Sequence, residues 1–242
     1  MPEGPSLVIS KEALQPFKGK KVIRCTTTAN IDAHLFIHKK VVDITTWGKH
    51  LLICFPHQTI RIHFLLFGSY LINDTRAITP RLHISFSNGF VNFYTSSIQL
   101  IEQPLDDIYD WSADVMNEQW NEKAARKKLR EAANREIGDV LLDQQIFAGV
   151  GNIIKNEVLF RIRVHPESIT GNIPPAKIKA LLKEAVTYSF EFLQWKKEDV
   201  LKKHWLAHTK KTCPRCHIPF IKKYTGKAKR RSFFCTNCQL LY

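Results

Sequence analysis

Two Cys-x-x-Cys pairs separated by eighteen residues constrain this chain more than any other feature: Cys213-Pro214-Arg215-Cys216 and Cys235-Thr236-Asn237-Cys238. Each pair puts two thiols on one turn, and the gap fits a hairpin that brings both turns around one tetrahedral ion. Two disulfides are the other use of four such cysteines. The start, MPEGPSLVIS, lacks a cationic stretch followed by an apolar one, and no run of eighteen apolar residues occurs. An intracellular protein without a membrane span is therefore expected, in a compartment where disulfides rarely persist. The expected cofactor is one structural Zn²⁺ held by Cys213, Cys216, Cys235 and Cys238. A closed four-thiolate shell leaves no position for water or substrate, and a module this small needs its metal to fold. His217 is a spare donor beside a shell that four cysteines already fill. Cys25 and Cys54 stand alone in apolar runs and read as core residues.

The charge balance sets the partner class. Lys and Arg number 36 against 22 Asp and Glu, a formal net charge of +14, and such an excess favours a polyanion, because each cation placed on a phosphate releases counterions. The basic residues are spread over strand-like, helix-like and Cys-rich segments rather than one amphipathic helix, which favours nucleic acid over an anionic membrane. Six of the ten residues 222–231, between the Cys pairs, are Lys or Arg. On a metal-stapled hairpin such a run is placed to grip phosphates or enter a groove.

Hydrophobic periodicity divides the chain. A short helix is expected over 6–17, followed by strand-like segments near 21–28, 39–46, 50–56 and 59–66. Residues 81–86 alternate apolar and polar, and Asn88-Gly89 is the expected positive-φ pair of a tight hairpin leading into 90–94. Seven or eight short strands in this length predict an antiparallel sandwich or barrel. From about Pro104 the period becomes helical. Helices are expected over 119–134 and 174–195, the latter with Ile178, Leu181, Leu182, Ala185 and Val186 on one face. Between them the glycine turn Gly149-Val150-Gly151-Asn152 opens a further helix.

Three features occur in one order: Met1-Pro2-Glu3-Gly4-Pro5 at the start, Gly-Val-Gly-Asn before a helix, and the four-Cys hairpin. Together they resemble the formamidopyrimidine-DNA glycosylase/endonuclease VIII family over essentially the whole chain. The resemblance implies an α+β multidomain fold with an N-terminal antiparallel β-sandwich over 1–112, a helix–two-turns–helix domain over 113–205 and a zinc finger over 206–242. It also implies a bifunctional DNA glycosylase and abasic-site lyase of base excision repair. The implied partner is double-stranded DNA with oxidised bases or abasic sites, bound by a monomer.

The residues make chemical sense under that resemblance. A terminal amine is the one backbone nitrogen able to attack, with an ordinary pKa of about 8. Pro2, freed of Met1, is the implied nucleophile. Glu3 is the implied general acid, a role that near neutral pH needs the raised pKa a buried site supplies. Lys49, in Gly48-Lys49-His50-Leu51-Leu52, is implied to assist β-elimination, and Arg230 to bind phosphate and serve δ-elimination, with Arg231 beside it. His63, Asn152 and Lys155 are implied DNA contacts. Asn152 also reads as a plain helix cap, and His63 as a strand histidine facing solvent.

Chemistry on a base requires extruding it, and an apolar wedge fills the gap. Leu65, Leu66 and Phe67 lie where the family carries void-filling residues, with Leu66 foremost, although ordinary strand core is the other reading. Leu141-Leu142-Asp143-Gln144 and the absence of an Arg-x-Phe pair in Tyr94–Ser97 point to the endonuclease VIII branch and oxidised pyrimidines. An oxidised-purine glycosylase of the same family is the alternative. Ser6 follows Pro5 where the family usually has Glu, so one carboxylate is missing near the nucleophile. A damage-binding protein without catalysis and a zinc-ribbon RNA-binding protein are the rival classes.

Overall fold

The computed structural model describes residues 2–242. Met1, whose removal the proposed chemistry needs, lies outside the described residues. The chain forms two compact units, Met1–Tyr109 and Asp110–Tyr242.

The first unit opens with α1 (Gly4–Leu14), whose first turn takes Pro5 at a position where the missing N–H is not needed. Eight strands follow: β1 (Arg24–Thr27), β2 (Asp43–Trp47), β3 (His50–Phe55), β4 (Gln58–His63), β5 (Ser69–Ile72), β6 (Leu82–Phe86), β7 (Gly89–Tyr94) and β8 (Ser97–Ile101). They form two four-stranded antiparallel sheets, ordered β1-β6-β7-β5 and β2-β3-β4-β8. Inward residues of both sheets share one core, including Ile84, Val91 and Phe93 from the first and Leu51, Ile53 and Ile62 from the second. The expected β-sandwich is therefore the observed one. Leu7 and Leu14 bring α1 into the same core. In β6 the alternation predicted from sequence appears as Leu82, Ile84 and Phe86 buried, with His83 and Ser85 half-buried. In β3 every residue from Leu51 to Phe55 is buried, which matches its unbroken apolar run. Cys25 and Cys54 are core residues, as expected.

Two local expectations change. The β6–β7 hairpin exists, but Phe86 pairs with Gly89, so its loop is Ser87-Asn88 rather than Asn88-Gly89. Asn88 instead donates its amide to the Pro16 carbonyl at 2.9 Å. Gly89 is required for another reason: with φ +139, an added Cβ would lie 2.2 Å from Asn73 Oδ1, which accepts the Phe90 N–H. The segment expected as strand over 59–66 stops at His63, and residues 65–67 form a turn.

A short helix α2 (Leu105–Ile108) leads out of the first unit. The second unit holds α3 (Glu122–Glu131), α4 (Ile137–Val140), α5 (Asn152–Ile162) and α6 (Pro175–Lys197), followed by the hairpin β9 (Ile221–Thr225) and β10 (Arg230–Phe234). Asn121 caps α3 by accepting the Ala124 N–H at 3.1 Å, and α6 carries Leu181, Leu182 and Ala185 into the helical core. Helix α5 is buried on every side from Ile154 to Phe160 and ends in a left-handed Arg163, φ +61. It is the axle of this unit, packing against α6 and against β10. Among the described residues, no helix is long and apolar enough to cross a membrane.

Candidate functional site

The four finger cysteines converge as their spacing predicts. Their sulfurs all lie within 4.8 Å of one another, and Cys213 Sγ is 3.8 Å from Cys238 Sγ. A tetrahedral zinc with Zn–S near 2.3 Å places its sulfurs about 3.8 Å apart, whereas a disulfide needs about 2.0 Å. The donor set therefore fits a metal and does not fit two disulfides. His217 is exposed and takes no part in the cluster. Arg215, inside the first Cys pair, caps the end of α5: its guanidinium donates to the carbonyls of Phe160 at 2.8 Å and Arg161 at 3.3 Å. A cation there meets the unsatisfied carbonyls and the negative end of the helix dipole.

The hairpin rising from the cluster exposes Lys222, Arg230 and Arg231. Arg231 donates to the Tyr224 hydroxyl across the strand pair at 2.7 Å. The hairpin is fixed at its tip and along β10. At the tip, Asp139 accepts the Lys227 N–H at 2.7 Å, and a Cβ on Gly226 (φ +72) would sit 2.1 Å from Asp139 Oδ1. One strand pair below the turn, Asn152 donates its side-chain amide to the Arg231 carbonyl at 2.9 Å. Gly151, not Asn152, is the cap residue of α5, so the plain-cap reading of Asn152 is corrected: this side chain links the helix to the hairpin. Lys155 is 1% exposed, and its ammonium donates to Ser232 Oγ at 2.8 Å. An exposed phosphate contact is not what the fold makes of Lys155; its charge is enclosed against β10.

Two residues that sequence reasoning missed complete this frame. Glu157, fully buried, accepts three successive backbone N–H groups, from Leu206 (2.9 Å), Ala207 (2.9 Å) and His208 (2.7 Å). It anchors the segment that enters the finger. Asn156 accepts the Phe233 N–H at 3.0 Å and lies 3.3 Å from His208 Nδ1. Burial, and then the neighbouring Lys155, push His208 down to about 4. The only sequence signal for either residue is a polar character on a helix otherwise buried all round.

In the first unit, Pro2 is half-buried and Glu3 is 2% exposed in extended backbone at the cap position of α1. Ser6, the departure from the family pattern, lies one turn on and donates its N–H to the Glu3 carbonyl at 2.8 Å. Lys49 occupies the tip of the β2–β3 hairpin, a two-residue loop with Gly48 at φ +52 in its first position, the arrangement of a type II′ turn. Beside it stands a cluster the sequence did not announce. His50 Nδ1 is 3.1 Å from the Tyr109 hydroxyl, Trp47 packs on Tyr109 at 4.9 Å, and the rings of His50 and His63 meet edge-on at 5.6 Å. Arg61 also bonds the Tyr109 hydroxyl. Burial, followed by Arg61, His63 and Lys49, pushes His50 down to about 4. Burial, followed by Lys49 and Arg61, lowers His63. Both imidazoles are thus neutral near pH 7, and the reading of His63 as a solvent-facing strand residue is corrected.

Directly after His63 comes an apolar tip. Leu65, Leu66 and Phe67 are 44%, 53% and 77% exposed, so the strand-core reading of these residues is excluded. The tip is a closed turn: the Gly68 N–H donates to the Phe64 carbonyl at 2.6 Å, and a Cβ on Gly68 would collide with that carbonyl oxygen at 2.1 Å. Three large apolar side chains held in water by a tight turn need an apolar partner.

Comparison with known proteins agrees with this architecture. The family model for the formamidopyrimidine-DNA glycosylase H2TH domain matches residues 112–197. Endonuclease 8-like 3 of Homo sapiens is 29% identical, the match covering 81% of this chain and 34% of that protein. Endonuclease 8-like 2 of Bos taurus is 32% identical, covering 74% of this chain and 58% of that protein. The chain thus spans about a third of the length of the first relative and somewhat over half of the second. Among solved structures, the formamidopyrimidine-DNA glycosylase of Lactococcus lactis, bound to DNA containing an abasic site, superposes with a TM-score of 0.86 at 23% identity, covering 98% of this chain and 99% of that one. A viral DNA glycosylase superposes with a TM-score of 0.83 at 19% identity, covering 98% and 100%. The sandwich, the H2TH helices and the four-Cys hairpin, with these likenesses, show that the chain belongs to the formamidopyrimidine-DNA glycosylase/endonuclease VIII family, on its endonuclease VIII-like side.

Proposed function

We propose that this protein is a DNA glycosylase and abasic-site lyase of base excision repair that acts on oxidised bases, pyrimidines in preference, with the Pro2 nitrogen as nucleophile. The observation that carries the reading is the pairing of Pro2 with a buried Glu3 at the head of α1 in a chain that also holds a four-thiolate hairpin. The three functional parts follow the division into a sandwich (1–112), a helix–two-turns–helix region (113–205) and a finger (206–242).

The chemistry needs a secondary amine. With Met1 removed, the Pro2 lone pair attacks C1′ of the damaged nucleoside, the C1′–base bond breaks, and the base leaves with that electron pair and a proton. The C1′–O4′ bond then opens, O4′ receiving a proton from Glu3, and the product is an iminium because proline has one N–H to lose. That cation acidifies C2′. Loss of the C2′ proton expels the 3′ phosphate, and a second elimination releases the 5′ phosphate. Lys49 contacts phosphate and supports the first elimination, Arg230 the second. His63, Asn152 and Arg231 serve the DNA backbone, and the tip Leu65–Phe67 fills the space left by the extruded base. Lys155 contributes by holding β10 from beneath. Cys213, Cys216, Cys235 and Cys238 would hold one structural Zn²⁺, which supplies rigidity to the hairpin and no reacting group. The protein acts as a monomer inside the cell, on duplex DNA.

Borohydride trapping tests the reading. Protein with Pro2 verified by mass as the first residue is incubated with thymine-glycol, 8-oxoguanine and abasic duplexes. The expected product is a covalent adduct of protein plus strand, strongest on abasic and oxidised-pyrimidine DNA and lost when the terminus is extended. Absence of any adduct across the panel, with lesion-selective binding retained, would make this a damage-binding protein. Preference for single-stranded RNA over the abasic duplex would make it an RNA-binding one.

A further inference from the structure

Attached to the apolar tip is a histidine whose ring does something other than face solvent. The Leu65 N–H donates to His63 Nδ1 at 3.2 Å. Leu65 itself has φ +51, the left-handed region that side chains with a Cβ avoid. A side-chain acceptor taking the N–H two residues on is the geometry of an Asx turn, here built with an imidazole. Together with the Gly68-to-Phe64 bond it pins both ends of the turn from which Leu66 and Phe67 project.

We propose that His63 is a positioning residue for the apolar tip: its unprotonated Nδ1 accepts the Leu65 N–H and holds Leu65 left-handed, so that Leu66 and Phe67 are presented outward. A corollary fixes the tautomer. With Nδ1 an acceptor, the proton of the neutral ring sits on Nε2, and only that N–H is available to a DNA phosphate. One ring then couples a backbone contact to the wedge. Protonation puts a hydrogen on Nδ1 and converts the acceptor into a second donor facing the Leu65 N–H, so the turn is released. The charged neighbours of this ring favour the neutral state: Lys49 on the β2–β3 hairpin and Arg61 on β4, with the His50 ring edge-on beside it and the β8 neighbour, Ser97, uncharged. No carboxylate is among them.

The wedge role of the tip rests on the glycosylase reading; the hold on Leu65 does not, so two measurements separate them. In the free protein, hydrogen exchange of the Leu65 amide is expected to be at least five-fold faster in His63→Ala than in wild type. His63→Asn, which keeps an acceptor within reach of the i+2 N–H, restores the protection and removes its loss as the pH falls below the ordinary histidine value. On duplex carrying a tetrahydrofuran abasic site opposite 2-aminopurine, fluorescence at saturating protein reports unstacking by the tip. Wild type and His63→Asn are expected to give full amplitude at pH 7.5, and His63→Ala less than half. Unchanged Leu65 exchange in His63→Ala, or an Asn variant that behaves like Ala, overturns the proposal. So does full fluorescence amplitude in His63→Ala at saturation with only weakened affinity, which leaves the ring a phosphate contact alone. A wild type without fluorescence response but with the predicted Leu65 exchange pattern would instead refute the wedge and leave the positioning role standing.

Discussion

Replacing Glu157 by Gln should loosen the finger while barely changing side-chain volume. In the native protein Oε1 accepts the N–H groups of Ala207 and His208, and Oε2 that of Leu206, all at 2.7–2.9 Å and with no solvent exposure. A glutamine keeps one oxygen for two of these donors but turns an NH₂ toward the third, so one buried N–H loses its acceptor and two lose charge assistance. A hydrogen bond to a charged group contributes about 1.5–3 kcal/mol and an orphaned buried donor costs about 1–3 kcal/mol. The substitution should therefore cost about 2–4 kcal/mol, and Glu157→Ala, which orphans all three donors, more. Against a total stability of about 5–15 kcal/mol this is a large fraction. Urea unfolding followed by far-UV dichroism reads the loss, and amide exchange at 206–208 locates it, with those three amides accelerated in the variant. A Gln variant within about 0.5 kcal/mol of wild type, with slow exchange at all three amides, would refute the view that this carboxylate secures the entry to the finger.

Chelation at neutral pH should strip one Zn²⁺ per chain and disorder the hairpin, because little besides Phe160, Ala207 and Phe220 packs with Cys213 and Cys235 in the finger core. Affinity for abasic duplex should then fall, and its log–log salt slope should shrink by about 0.9 for each phosphate the hairpin ceases to neutralise; a slope that persists after metal release would contradict a DNA-gripping hairpin. Gly226→Ala combines φ +72 with a 2.1 Å collision at Asp139 and should cost about 2 kcal/mol or more, read by thermal unfolding. Gly19→Ala, at φ +81 with its nearest neighbour 3.8 Å away, carries the backbone strain alone and should cost less. Stability should also fall in acid: His50 and His208 sit near 4 when folded against 6.5 when unfolded, so the unfolded chain takes up their protons first as the pH drops. Stability is full above about pH 6.5 and declines toward pH 4, by at most about 3 kcal/mol per histidine. Urea midpoints at pH 7.5 and 4.5 should show the decline, and His50→Gln should flatten part of it.

What the amino-acid sequence determines by itself is whatever depends on spacing along the chain. The two Cys-x-x-Cys turns can only converge on a common centre, and they do. The alternation of 81–86 and the 3.6-residue period of 174–195 specify a strand and a helix because one face of each must be buried, and both elements form within a few residues of their expected ends. Pro2 and Glu3 are proposed from the sequence because position in the chain is itself chemistry when the group concerned would be a terminal amine. The tertiary structure decides everything that depends on which distant groups share a dielectric. Lys155 reads as one more cation, yet packing against β10 encloses it. Residues 65–67 also read as strand core, and only the turn closed by Gly68 puts them in water. The neutral pair His50 and His63 exists because β3 and β4 set the rings side by side near Arg61 and Tyr109. Glu157 becomes an anchor because the chain returns fifty residues later with three N–H groups in a row. Spacing is a local property, whereas burial and charge are collective ones, and that physical difference separates what the chain spells out from what its folding creates.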